Sequence, residues 1–276
     1  MAGTDVRTAD GAGVDEDVPS GPSWLLRDSW TEALRHIRAL PRNPEVLAFA
    51  TIQPVMFVLL FVYVFGGSIS VAGYEDYKQF LLPGIFAQTV LWGTTFTAVG
   101  LAEDLSKGIV DRLRSLPMHP AAVLVGRTIS DLVRNLVTFV VMLVVAFAVG
   151  FRFQGSATGA AAATLLLFLF SFAFSWVQAV IGMSVGSAEA ANSAGFTWMF
   201  PLTFVSSAFV DPATMPSWME RAAEVNPFTI LTDASRALYN GKDAGNDPAV
   251  AVAWAAGITL VSAALAVRRF TAARGR

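Results

Sequence analysis

Between Arg152 and Glu189 the chain runs for 36 residues without a charged side chain, and the stretches 46–66 and 83–102 are uncharged for 21 and 20 residues. An α-helix rises about 1.5 Å per residue, so roughly 20 apolar residues cross a hydrocarbon core about 30 Å thick. Runs of this kind constrain the chain more than any other feature. The 36-residue run is too short for two crossings and a turn, so it places one span at 160–182, and the next, interrupted by Pro201, follows at 191–210. With 131–150 and 249–267 the pattern predicts an all-α integral membrane protein of six spans. Composition agrees: 54% of the residues are hydrophobic and 14% charged, against about a quarter charged in soluble domains. The net charge of -2 gives no reason to expect a nucleic-acid partner. The absence of Cys excludes disulfides, thiolate chemistry and Cys-ligated metal.

Residues 1–22 are polar, acidic and Gly-rich, with no apolar core or cleavage site of a signal peptide, and read as a disordered cytoplasmic tail. Over 24–40, Leu26, Trp30, Leu34 and Ile37 share one helical face while Arg27, Arg35, His36 and Arg38 crowd the rest. That pattern fits a helix lying in the interface against membrane lipid, and a soluble helix packed on a neighbour is the alternative. The third span opens on Asp131, Arg134 and Asn135, tolerable only near the interface or facing protein. Gly155 and Gly159, and Gly182 and Gly186, are small residues four apart, a spacing that lets helices approach. The loop 211–247 contains two short helical patterns, 215–223 and 229–239, parted by the turn-forming Asn226-Pro227.

Lys and Arg set the topology. With the N-terminus inside, the cytoplasmic segments hold 14 of the 19 basic residues, and the outer loops hold Lys78, Arg152, Arg221, Arg236 and Lys242. The bias predicts six spans with both termini cytoplasmic.

One stretch, 101–131, carries eight formal charges: Glu103, Asp104, Lys107, Asp111, Arg112, Arg114, Arg127 and Asp131. Leu105, Ile109, Leu113 and Leu116 form an apolar stripe, Glu103 and Lys107 are spaced to pair, and Pro117 and Pro120 stop the pattern. The spacing predicts a charged amphipathic helix over 103–116 on the inner membrane surface, a docking device.

No catalytic constellation can be assembled. There is no Gly-rich phosphate loop or dinucleotide fingerprint. The two His, His36 and His119, lie far apart at the cytoplasmic surface, and no metal or cofactor site is expected. The middle of every expected span lacks a carboxylate, which leaves ion-coupled transport unsupported. A membrane enzyme would need a nucleophile and base, or a metal cluster, at one depth. A purely structural role would leave the charged stretch unexplained. The spans do carry Gln88, Trp92, Thr95, Phe172, Trp176, Asn192 and Trp198, neutral polar and aromatic residues. They serve either helix packing or a translocation path for an amphipathic substrate.

The segment 83–135, with Lys107-Gly108, Arg112-Leu113-Arg114-Ser115-Leu116-Pro117 and Gly126-Arg127-Thr128 in that order, resembles the membrane subunit of type-2 ABC exporters. In particular it resembles the daunorubicin-resistance permease group and its nodulation-factor relatives. Asn226, Pro227, Arg236 and Gly241 are family-like too, and the resemblance covers 24 to the end. It implies a permease without its own ATPase, in a bacterial plasma membrane, pairing with a second copy or paralogue and with a separate ABC ATPase that binds ATP and Mg. It also implies that the helix after the second span is a coupling helix, so Glu103, Asp104, Lys107, Asp111, Arg112 and Arg114 would contact the ATPase. The implied cargo is a hydrophobic or amphipathic drug or natural product; the alternative is a glycolipid, lipo-oligosaccharide or polysaccharide.

Overall fold

The computed structural model describes residues 27, 29–31, 33–35, 38, 44–65, 71, 73–74, 76–109 and 120–272. The acidic tail, most of the expected interfacial helix and residues 110–119 therefore lie outside the described residues. The described residues between 27 and 38 are helical, with Trp30 exposed and Ala33 buried.

α1, Pro44–Leu59, carries Pro54 in its interior and widens into a π-helical turn over Leu60–Phe65. α2, Tyr77–Trp92, is started by Asp76, whose carboxylate accepts from the Lys78 backbone N–H at 3.0 Å. A turn at Gly93 and Thr94 separates it from α3, Thr95–Ser106. α4 covers Pro120–Ala148, and α5 covers Ala157–Gly182 behind a Ser156 cap. α6 is Ala188–Phe204, capped by Ser187 and interrupted by Pro201. A 3-10 turn, Pro212–Thr214, leads to α7, Ser217–Glu224, and α8, Pro227–Asn240; α9, Asp247–Ala272, closes the chain. Asp76, Ser156, Ser187, Asp211 and Asn226 hold their starts because their short side chains accept from the otherwise unbonded first N–H groups.

Among the described residues, four helical segments are long and apolar enough to cross a membrane: Tyr77–Ser106, Ala122–Ala148, Ala157–Gly182 and Asp247–Thr271. The expected first span contains the shorter apolar stretch Thr51–Val64, and the expected fifth is the 17-residue α6. The second span begins at Tyr77, earlier than 83, because Asp76 supplies a cap inside what reads as a loop. The third begins at Pro120, well before 131. Proline's missing N–H suits the first turn of a helix as well as it ends one, so Pro120 opens α4 instead of closing the preceding segment.

α5 is the hub of the bundle and packs on α2, α3, α4, α6, α8 and α9. Glycines set the closest crossings. A Cβ at Gly182 would lie 2.5 Å from the Ala98 carbonyl oxygen, and one at Gly155 would lie 2.5 Å from that of Leu238. Gly186, the other half of the sequence pair, touches nothing within 4 Å. α2 is buried along its length except at Lys78. Apolar side chains point outward instead, among them Met56 and Tyr63 on α1, Val144 on α4, Leu165 on α5, and Leu260 and Val261 on α9. Polar groups inside and large apolar groups outside suit a helical bundle in lipid, where the surroundings are as apolar as leucine.

Candidate functional site

α3 and α4 run antiparallel and meet along two polar stripes. Gly93, Thr97, Gly100 and Asp104 recur at four, three and four, which puts them on one helical face. Opposite them Arg127, Asp131, Arg134 and Asn135 on α4 lie at spacings of four, three and one, with Asp131 and Asn135 four apart. Thr97 Oγ1 donates to Asp131 Oδ2 at 2.6 Å. Asp131 also pairs with Arg134 Nη1 at 2.8 Å and Arg127 Nε at 3.5 Å, and Arg127 Nη1 reaches Asp104 Oδ2 at 3.1 Å. The glycines make room: a Cβ at Gly93 would overlap the Asn135 amide, and one at Gly100 the Arg127 guanidinium. Arg134 Nη2 donates to the Gly93 carbonyl at 3.2 Å, and the guanidinium lies 4.3 Å from the Phe96 ring centroid. Asn135 Nδ2 donates to the Val90 carbonyl at 3.0 Å and Ser171 Oγ at 2.9 Å, carrying the network to α5. Asp131 and Arg134 are 2% and 7% exposed. They face protein near the middle of a 29-residue helix, one of the two settings in which the sequence allows them. Two guanidinium groups meet two carboxylates, so the buried set is formally neutral, the condition for keeping charge in an apolar interior.

Beside this zipper lies a cavity of about 210 Å³, walled by α1, α2, α3, α4 and α6. Gln53 and Phe57 come from α1, Gln88 and Trp92 from α2, Arg134 from α4, and Asn192 from α6. Several buried donors here have no partner: Gln88 Nε2, Trp92 Nε1 and Arg134 Nε. Two of the lining rings, Phe57 and Trp92, belong to a larger set of ring contacts. Phe57 meets Trp92 edge-on with centroids 6.0 Å apart and stacks on Phe61 at 6.0 Å. Phe61 lies 5.0 Å from Phe209, Phe209 lies 5.2 Å from Phe204, and Phe204 returns to Trp92 at 6.4 Å. These spacings are those of attractive ring pairs, and the five rings form a closed collar.

Residues 29–240 match the ABC-2 type transporter family. The chain is 33% identical over 240 residues to the daunorubicin resistance ABC transporter permease protein DrrB1 of Streptomyces coeruleorubidus, covering 87% of this chain and 84% of that one. The chain belongs to the ABC-2 type transporter family. It is also 24% identical over 214 residues to the probable doxorubicin resistance ABC transporter permease protein DrrC of Mycobacterium tuberculosis, covering 78% of this chain and 77% of the relative. It is 26% identical over 176 residues to the probable multidrug ABC transporter permease YbhR of Escherichia coli, over 62% of this chain and 46% of that one. As an ABC-2 permease with several membrane-length helices, it is a multi-pass membrane protein.

In this ABC-2 bundle, four of the seven residues expected along a translocation path, Gln88, Trp92, Thr95 and Asn192, meet around the one cavity. Thr95 turns its hydroxyl toward Met199 Sδ on α6, 3.9 Å away. The other three lie elsewhere. Phe172 and Trp176 meet edge-on at 6.1 Å in a separate apolar cluster with Leu101, Leu124 and Phe270. Trp198 stacks on Phe174 at 5.4 Å and faces a groove shared with Trp254. The stretch expected as one helix over 103–116 is divided. Glu103 and Asp104 belong to the end of α3, Lys107 caps it, and Gly108 turns left-handed at φ +67. Glycine takes that conformation without the Cβ penalty that other residues meet, so it ends the helix. Lys107 and Glu103 pair at the exposed surface, 3.1 Å apart. Asp104 turns inward to Arg127. Asp111, Arg112 and Arg114 lie outside the described residues.

Reading the sequence for a path missed Arg134, Asn135, Phe57 and Phe96, of which the first two read as tolerable near the interface or facing protein. Their signal was the four-and-three recurrence of polar residues on both sides of 110–119. The family-like segment 226–241 has a structural task. Asn226 Nδ2 donates to the Leu202 and Val205 carbonyls, each at 2.7 Å, while its Oδ1 accepts from the Phe228 N–H at 2.8 Å. Arg236, 4% exposed, donates from Nε to the Phe80 carbonyl at 2.8 Å and from Nη2 to the Ser207 carbonyl at 2.6 Å. It also pairs with Asp233 at 2.5 Å. Burial pushes the Asp233 carboxyl above the usual carboxylate range, against the pull of Arg236 and Ser207. The segment locks α8 to α2 and to the end of α6.

Proposed function

We propose that this chain is the membrane subunit of an ATP-driven exporter that moves a hydrophobic or amphipathic drug or natural product out of a bacterial cell. The observation that carries the reading is the cavity: aromatic walls, a few buried hydrogen-bonding groups, and a neutral ion-paired zipper behind it. Small-molecule sites combine mostly apolar walls with a few placed polar groups in this way. The relatives named for daunorubicin and doxorubicin resistance point to the same cargo class.

In this reading six segments span the plasma membrane and both termini are cytoplasmic, as the basic residues favour. α1 and α6 then run outward, so Gln53 and Asn192 lie nearer the cytoplasm than Phe61 and Phe204. The collar then lies on the outer side of Gln53 and Asn192, which suits a loading state that takes cargo from within. Glu103, Lys107, Asp111, Arg112 and Arg114 form the contact with a separate ABC ATPase, which binds ATP and Mg. Asp104 ties that contact to the zipper through Arg127. A second copy or paralogue completes the transporter.

Inside-out vesicles holding this chain and an ABC ATPase encoded beside it test the reading. They are expected to accumulate doxorubicin in the presence of ATP, and not when the ATPase phosphate-loop Lys is replaced. Accumulation without any ATPase, or none with it, refutes the proposal.

A further inference from the structure

The two ends of α8 fix how deep the helix before it lies. Trp92 stands at the middle of the membrane-length segment Tyr77–Ser106, and the Phe204 ring at the end of α6 lies 6.4 Å from the Trp92 ring. Asn226 donates to the carbonyls of Leu202 and Val205, on either side of Phe204, so the turn between α7 and α8 sits at that depth. The other end of α8 reaches the start of the same segment, where Asn240 Nδ2 donates to the Gln79 carbonyl at 3.0 Å. Asp211 and Pro212, just before α7, line a pocket with Lys242 at that end too. α7 and α8 therefore form a hairpin let in from the Tyr77 side, with Glu224, Val225 and Asn226 at its tip near the middle of the membrane.

α7 buries Ala223 and leaves Trp218, Ala222 and Val225 exposed at spacings of four and three, with exposed Arg221 and Glu224 beside them. Trp218 is 68% exposed and Val225 71%. Among the described residues, neither Arg221 nor Glu224 has an ion pair or a side-chain hydrogen bond. Hydrocarbon does not suit this face, because charged side chains at membrane depth turn to protein, to water or to one another. A long basic chain can stretch to the interface, but a carboxylate at the tip of the hairpin is too short to do so. Lipid would cover Trp218 and Val225 and strand the charges, and water would do the reverse. A surface offering apolar contact and opposite charge serves both, and α7 is itself such a surface. Arg221 and Glu224, three residues apart, complement their own copies about a two-fold axis.

We propose that α7 packs against α7 of a second copy of this chain, with Arg221 of each copy paired to Glu224 of the other and Trp218 and Val225 packed between them. The assignment rests on the paired-permease reading above and names the surface through which the copies meet.

The chain has no Cys, so single cysteines report on its copies in cell membranes. Val225→Cys is expected to give a disulfide-linked dimer on mild oxidation, and Leu260→Cys, as exposed but on α9, to give none. Glu224→Arg in both copies should cut co-purification of two differently tagged chains by about tenfold, and so should Arg221→Glu in both. One copy with Glu224→Arg and the other with Arg221→Glu should restore it, because every crossing contact then joins opposite charges; that recovery also shows that both variants fold. No disulfide at position 225, whether the cysteine proves open to an impermeant reagent or shielded by lipid, overturns the proposal. So does co-purification unmoved by the reversals, or a mixed pair as weak as the like-charged ones. If the copies pair this way while ATP-driven accumulation is absent, the interface stands and the export reading falls. Accumulation without the disulfide keeps the export reading and removes the interface.

Discussion

Asp131 is the acceptor on which the zipper depends, and replacing it tests the whole arrangement. It takes Thr97 Oγ1 at 2.6 Å, Arg134 Nη1 at 2.8 Å and Arg127 Nε at 3.5 Å, at 2% exposure. Asp131→Leu leaves the Arg134 guanidinium buried with no carboxylate, while Arg127 keeps Asp104. Breaking a buried pair by removing one partner costs about 3–5 kcal/mol, because the remaining charge stays out of water. At about 2–4 °C per kcal/mol for a chain of this size, melting should fall by roughly 6–20 °C. The assay is thermal unfolding of the purified chain in one detergent, followed by loss of the monodisperse peak. Asp76→Asn is the control: its pair with Lys78 spans 3.0 Å at side-chain exposures of 47% and 27%, and Asn keeps the cap. Such a pair contributes at most about 1 kcal/mol. Asp131→Leu combined with Arg134→Met removes both charges, and replacing a buried pair by apolar groups is often neutral, so the double variant should recover most of the loss. An Asp131→Leu melt within 2 °C of the native chain on this ~2–4 °C scale, or a double variant no better than the single, would refute the buried-charge argument.

Gly182→Ala should lower melting by about 2–12 °C, since the new Cβ meets the Ala98 backbone and overpacking of this kind costs about 1–3 kcal/mol; Gly186→Ala, in open space, should change nothing measurable. In this Cys-free chain, Lys242→Cys should react with an impermeant thiol reagent from outside the cell and Lys107→Cys only after permeabilisation; reversed labelling overturns the topology. Asp111→Arg should weaken ATPase co-purification by tenfold or more if its contact is desolvated, at about 2–5 kcal/mol, while Asp243→Arg in the outer loop leaves it intact; equal, native behaviour of both removes Asp111 from the contact.

The long uncharged runs were legible because a helix in lipid needs little beyond length and apolarity. Gln88, Trp92, Thr95 and Asn192 could be singled out together because polar and aromatic residues inside such runs are few, and the fold sets all four around one cavity. Phe172, Trp176 and Trp198 carry the same signature and lie apart from the cavity. An aromatic ring fits either a core cluster or a cavity wall, and periodicity does not say which neighbour it meets. Gly108 sits in an apolar recurrence of three and four that continues through it, and only the backbone, turning left-handed there, shows that the helix ends. Asp131 and Arg134 read as tolerable only near the interface or facing protein because a lone charge inside a span is prohibitive, and the fold turns both toward protein. That cost applies to each charge taken singly, and the fold answers it pairwise across two helices joined through 107–119. Arg134 shows how: Nη1 is held by Asp131 on its own helix and Nη2 by the Gly93 carbonyl in the turn before α3, so one buried guanidinium is answered from both sides of the crossing.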